Sequence, residues 1–203
     1  MTDFQKTYKY RLYPTDEQRL KLDQQFAAIR WIYNAALQQR ETYGRKKGSD
    51  TFGRDSSFNY VRQDKELSWK EFKSDPDLSW ISDCLLKDSA TYALQDLDKA
   101  YDSFFKRGAG YPKHRRFLEN NSYKLKIYVS KKIAVLIGKD TIKLPKVGRV
   151  KYIKHKKFGK LLTTATVLRE GDEYYFCVTS KMPLKDMDHQ GPCIGCDLGV
   201  TFP

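Results

Sequence analysis

One acid stands inside a short apolar run near the end of the chain, Cys193-Ile194-Gly195-Cys196-Asp197-Leu198-Gly199-Val200. The run predicts a strand that is otherwise buried. A carboxylate in such a place is costly unless a charge compensates it, and a bound cation is the usual compensation. Asp197 therefore has the chemistry of a first metal ligand. A metal-dependent nuclease holds its ions with several carboxylates. The sequence stops at Pro203, so only the first of them is expected here. The alternative is an acid that caps a turn before Gly199. Cys193-x-x-Cys196 is a weak zinc signal: a structural site needs four ligands, usually two such pairs, and Cys84 and Cys177 are isolated. Residues three apart on a strand point to opposite faces, so the pair reads as two small buried residues.

A second chemistry lies in the charges. Between Lys106 and Lys160 there are 18 Lys and Arg against 2 acids, Glu119 and Asp140; the rest of the chain holds 20 Lys and Arg against 23 acids. A block this one-sided favours a polyanion, most simply nucleic acid. Tyr111, His114, Phe117, Tyr123, Tyr128, Tyr152 and Phe158 are interleaved with the cations and offer stacking beside phosphate contact. The connector Tyr111-Pro112-Lys113-His114-Arg115-Arg116-Phe117 has the form of a backbone clamp, a rigid proline followed by clustered cations. Lys124, Lys126, Lys131, Lys132, Lys154, Lys156 and Lys157 continue the candidate contacts, with Arg11 in the first strand. His114 has no acid near it in sequence, so it reads as a contact or stacking residue rather than a general base.

The positioning elements follow from periodicity. Residues 6–12 alternate and predict a strand ended by Pro14. Thr15-Asp16-Glu17-Gln18 has the form of a capping box, and Leu22, Phe26, Ile29, Tyr33 and Ala36/Leu37 give one apolar helix face running to about Tyr43. A polar stretch follows from Gly44 to Asp64, with a short helix near 56–63, and a break at Ser74-Asp75-Pro76-Asp77. A long helix is expected from near Ser82 to Phe105, with its stripe at Leu86, Ala90, Ala93/Leu94, Leu97, Tyr101 and Phe104 packing on the first helix. Cys84 reads as a small core residue. Candidate strands follow at 123–129, 132–137, 140–144, 148–153, 161–169 and 172–181, with turns at Gly138-Lys139-Asp140 and Val147-Gly148. Short, closely spaced strands suit a small barrel. The fold class is then α+β, a barrel interrupted by a helical domain.

At 203 residues the chain suits one or two domains, and 40% apolar with 14% aromatic content argues against disorder. No apolar run reaches membrane-spanning length and no signal core opens the sequence. Four cysteines fit a reducing compartment. The expectation is a cytoplasmic protein with no membrane partner and no small-molecule substrate.

In this order the segments resemble the TnpB/OrfB family of insertion-sequence proteins, relatives of the type V CRISPR effector nucleases. The resemblance rests on Tyr10-Arg11-Leu12-Tyr13-Pro14, Ile32-Tyr33-Asn34, Ser79-Trp80, Ala93-Leu94-Gln95-Asp96-Leu97, Ala100-Tyr101-Asp102-Ser103-Phe104-Phe105, Gly110-Tyr111-Pro112-Lys113, Ile142-Lys143-Leu144-Pro145-Lys146-Val147-Gly148 and Ile194-Gly195-Cys196-Asp197-Leu198-Gly199-Val200. It spans nearly the whole chain.

The resemblance implies an RNA-guided DNA endonuclease architecture. A wedge-type barrel (1–13 and 111–182) is split by a helical recognition domain (14–110). A linker (183–192) then leads to the first strand of a truncated RuvC, RNase H-like domain (193–203). It implies guide RNA and double-stranded target DNA as partners. Asp197 becomes the first RuvC carboxylate, with Mg2+ in the full-length family and none held tightly here. Phe52, Ser56, Lys87 and Thr91 fall where relatives contact the motif beside the target; Lys87 and Thr91, four apart, share a helix face. Lys124 to Val129 departs from the family's Thr/Asn-rich sequence, and Thr201-Phe202-Pro203 from its usual continuation. The expectation is a nucleic-acid-binding chain that does not cleave alone. The rival readings are a guide-free helix-turn-helix DNA-binding protein of transposition and an inert remnant.

Overall fold

The structure, a computed structural model, describes residues 3–46, 73, 75–117, 119, 121–129, 132–133, 135–155 and 161–183. Strand β1 (Asp3–Tyr13) leads into helix α1 (Asp16–Lys46). Helices α2 (Ser79–Cys84) and α3 (Lys87–Arg107) follow. Then come β2 (Ser122–Lys126), β3 (Tyr128–Val129), β4 (Lys132–Ile133), β5 (Leu136–Ile137), β6 (Thr141–Leu144), β7 (Gly148–Tyr152), β8 (Leu161–Glu170) and β9 (Glu173–Pro183). The class is α+β.

Alternation builds the central strands. Tyr8, Tyr10 and Leu12 of β1 are buried while Lys9, Arg11 and Tyr13 face outward; in β9, Tyr174, Phe176 and Val178 are buried. The two strands pair antiparallel from Asp3↔Pro183 to Leu12↔Tyr174. β1 also pairs with β7 at Leu12↔Tyr152 and Tyr13↔Lys151. The result is a curled seven-stranded sheet in the order β2-β8-β9-β1-β7-β6-β5. Its two edges meet in sequence at the base of the β3–β4 hairpin, where Val135 N–H donates to the Ile127 carbonyl over 3.3 Å. That hairpin explains why the expected strands 123–129 and 132–137 each split in two.

The capping box forms as the sequence predicts. Thr15 N–H donates to Gln18 Oε1 (3.1 Å), and Gln18 N–H donates to Thr15 Oγ1 (3.4 Å). Gln18 Nε2 also donates to the Arg149 carbonyl (2.8 Å), tying the start of α1 to β7.

The expected helix from Ser82 to Phe105 is instead two helices. Leu85 is extended (φ −110°, ψ 161°) and almost fully buried, and Leu86 is extended as well. The break sends both Ile81 and Leu85 into the core, which a continuous helix at their spacing would also do, and it frees α3 to take its own direction. Gly108 ends α3 in the left-handed conformation (φ 68°), the one that glycine takes without a Cβ penalty.

α1 serves two cores. Leu22, Phe26 and Ile29 join the sheet's buried face, together with Ile81 and Leu85. Tyr33, Ala36 and Leu37 pack instead on Leu97 and Tyr101 of α3. A buried ion pair, Arg40 Nη2 to Asp98 Oδ1 at 2.5 Å, fixes the register of the helix pair.

Candidate nucleic-acid interface

The basic connector is pinned to α1 by one side chain. Asn34 Nδ2 donates to the Arg115 carbonyl (3.1 Å), and Arg115 N–H donates to Asn34 Oδ1 (2.8 Å). The Arg115 guanidinium then lies 4.0 Å over the Tyr33 ring and pairs with Asp96 at 3.5 Å. Tyr111 meets Tyr101 edge-on and shares a hydroxyl hydrogen bond with it at 3.0 Å. Arg115 thus works inward, as a docking group. Lys113, His114 and Arg116 stay exposed around it. His114 Nε2 lies 4.0 Å from Glu41 Oε2, an acid that sequence distance hides, and Arg116 pairs with Glu119 at 3.6 Å.

Two further candidates answer acids of α3. Lys124 Nζ meets Asp96 Oδ1 at 2.5 Å, and Lys126 Nζ meets Asp88 Oδ1 at 3.1 Å. Hydrogen bonding to Asp88 raises the Lys126 pKa. Asp88 and Asp96 are eight apart on α3, hence on one side of it, and β2 lies along that side. Lys87 and Thr91 are exposed on α3, with the Thr91 hydroxyl donating back to the Lys87 carbonyl at 3.0 Å.

Three further cations without an ion pair among the described residues are ones that the sequence did not single out. Lys143 of β6 stands opposite Arg149 of β7, and Thr141 opposite Lys151. Lys151 stands in turn opposite Tyr13 of β1, whose ring is 43% exposed. Lys143, Arg149 and Lys151 all face outward because Ile142, Leu144, Val150 and Tyr152 fill the alternate, buried positions. No carboxylate of the described residues forms an ion pair with any of them. Their strand positions follow from alternation, so the signal was present, but only register shows that the charges oppose one another.

On the other side of β1 the outward face is neutral in balance. Arg11 pairs with Glu173 at 2.5 Å and lies over the Tyr13 ring. Lys9 reaches both Glu170 oxygens and lies 4.1 Å over the Tyr175 ring. Tyr13 therefore marks a boundary between a compensated and an uncompensated half of one sheet face.

Lys154 is exposed just beyond β7, and Lys132 lies in β4. Phe52, Ser56, Lys131, Lys156, Lys157, Cys193, Cys196 and Asp197 lie outside the described residues, as does the expected helix near 56–63. Among the described residues no group of three or more His, Cys, Asp or Glu is placed to hold a metal ion, and no helix is long and apolar enough to cross a membrane. Cys84 is half-buried, and burial pushes its thiol up to about 11, away from metal binding or nucleophilic chemistry.

Residues 1–48 match a family model described as a helix-turn-helix domain, HTH_OrfB_IS605. The chain is 24% identical over 200 residues to a protein of Escherichia coli (strain K12) named as an RNA-guided DNA endonuclease, InsQ; the match covers 96% of this chain and 45% of that one. It is 32% identical over 116 residues to a protein of Streptomyces pristinaespiralis also named as an RNA-guided DNA endonuclease, covering 57% of this chain and 26% of that one. The chain thus spans less than half the length of the curated relatives it matches. In the stretch that carries the helix-turn-helix description, residues 3–46 form one strand and one continuous helix.

Proposed function

With its kinship to the TnpB/OrfB proteins as the premise, we propose that this chain is the nucleic-acid-holding portion of a transposon-associated, RNA-guided DNA endonuclease. The curled sheet with its two flanking segments (1–13 and 111–182) is the wedge barrel, and residues 14–110 are the recognition helices. Residues 183–192 are a linker to a nuclease segment at 193–203. The partners are a guide RNA and double-stranded target DNA. Lys87 and Thr91 face the DNA motif beside the target, with Phe52 and Ser56. Asp197 is a first carboxylate for Mg2+.

The observation that carries this reading is the opposed pair Lys143–Arg149 with Lys151 and Tyr13 beside it. Like charges directly opposite on a sheet destabilise it, and a phosphate backbone supplies the missing counter-charge. On this reading these 203 residues hold nucleic acid rather than cut it. Metal-dependent cleavage by this polypeptide, abolished by Asp197→Ala, would overturn that part.

The test is to express the chain with its native flanking DNA, purify it at moderate salt, and sequence the RNA that accompanies it. One discrete RNA encoded beside the gene is the expected result. Scattered cellular RNA, lost as salt rises, overturns guide selection and leaves backbone binding only.

A second reading, a guide-free DNA-binding protein, is favoured by the name of the family model over residues 1–48. It expects tight DNA binding by RNA-free protein, and its N-terminal stretch to insert a recognition helix. The one-strand, one-helix geometry of 3–46 supports the first reading over it.

A further inference from the structure

A cavity of about 340 Å³ opens between α1, α2 and the β6–β7 turn, walled by Lys21, Gln24, Trp80, Asp83, Cys84 and Lys146. We infer that it is a stacking site for one unstacked nucleobase of a single-stranded nucleic acid. This rests on the nucleic-acid reading above and names a ligand and a place that reading does not.

Three observations carry it. The first is the ring. Trp80 is 39% exposed although its neighbours Ile81 and Leu85 are buried, so α2 turns its apolar side inward and leaves an indole in the cavity wall. Every base has a π-face, and an exposed indole is a platform for it.

The second is Lys146. It holds φ 65°, a left-handed conformation that glycine adopts without strain and lysine does not. Its side chain lines the cavity. A long cation kept where the backbone disfavours it suits a need for the ammonium there. Lys146 also lies in the turn of the hairpin that carries Lys143 and Arg149, so the cavity adjoins the end of that hairpin.

The third is that the walls are fixed to one another. Gln25, almost fully buried, donates from Nε2 to the Cys84 carbonyl (2.9 Å) and to the Pro145 carbonyl (3.2 Å). One amide therefore joins α1, the end of α2 and the β6–β7 turn beneath the cavity. Gln24 and Asp83 add polar groups for a base edge; Lys21 is paired with Glu17 at 2.5 Å, and Lys146 is the wall's cation with no ion pair among the described residues. The size fits a base: ligand sites run from about 300 Å³ upward.

The test uses the full chain, short oligoadenylates in ribose and deoxyribose form, and abasic oligomers of the same length and backbone. Base-bearing oligomers are expected to bind about tenfold tighter than abasic ones, in at least one sugar series. Trp80→Leu, which keeps apolar bulk and removes the ring, brings them down to the abasic level and leaves abasic binding and its salt dependence unchanged. Trp80→Phe keeps most of the advantage. A ribose or a deoxyribose preference then assigns the strand to RNA or to DNA. Equal binding of base-bearing and abasic oligomers, or an equal loss on both in Trp80→Leu, overturns the stacking site and leaves backbone binding standing. No binding of either kind overturns the nucleic-acid reading itself.

Discussion

Lys143 of β6 stands directly opposite Arg149 of β7 in the antiparallel ladder, both exposed, with Lys151 one outward position further along β7. The carbonyl of Arg149 is held by Gln18 of the capping box, so the cation sits on a strand fixed to α1. Such a pair opposes folding and favours an anion.

Two opposite effects are therefore expected from one substitution. Arg149→Ala should raise folding stability by about 0.2–1 kcal/mol by removing the like-charge contact. It should also weaken nucleic-acid binding evenly across sequences and lower the slope of log K against log salt by about 1. Thermal unfolding and a salt titration of binding measure both. A loss of stability with unchanged binding would mean that the pair has a structural role.

The buried pair Arg40–Asp98 should behave in the opposite way. Asp98→Ala leaves the Arg40 guanidinium, 3% exposed, without its carboxylate. A loss of about 3–5 kcal/mol is expected in urea unfolding, because an uncompensated charge stays buried. The double change Arg40→Met with Asp98→Leu should recover most of it.

Asn34 holds the connector by two hydrogen bonds to one residue. Asn34→Ala should cost about 1–3 kcal/mol by leaving the Arg115 amide and carbonyl unsatisfied. Hydrogen exchange at the Arg115 amide should accelerate while exchange in β9 stays slow. Global acceleration would instead mean that the connector is part of the main folding unit.

Stability should fall at alkaline pH. Burial raises Tyr10 from 10.0 to about 12 and Cys84 from 9.0 to about 11. Both groups stay protonated in the fold at pH values where the unfolded chain releases the proton. Their contribution is whole below pH 9 and is lost as pH rises through the window from 9 to 12. Denaturant midpoints across that range check the sign, and Cys84 should resist thiol reagents at pH 8 until the chain unfolds.

The sequence by itself determined what depends on near neighbours. The alternation of Tyr8, Tyr10 and Leu12, the capping box at Thr15 and Gln18, and the stripe at Leu22, Phe26 and Ile29 are local patterns, and each formed as written. So did the count of 18 cations against 2 acids, which needs no geometry. The tertiary structure decided which of those cations remain free to act. Ion pairing depends on distance in space, and the acids that meet Lys124, Lys126 and Arg115 lie on α3, outside the basic block. The break at Leu85 and Leu86, both extended, separates α2 from α3 where the apolar periodicity alone reads as one helix. Register placed Lys143 against Arg149 and Tyr13 against Lys151, since a strand's partner is set by the whole sheet and not by its own residues. The Trp80 cavity came from three segments far apart in the chain, joined by the amide of Gln25.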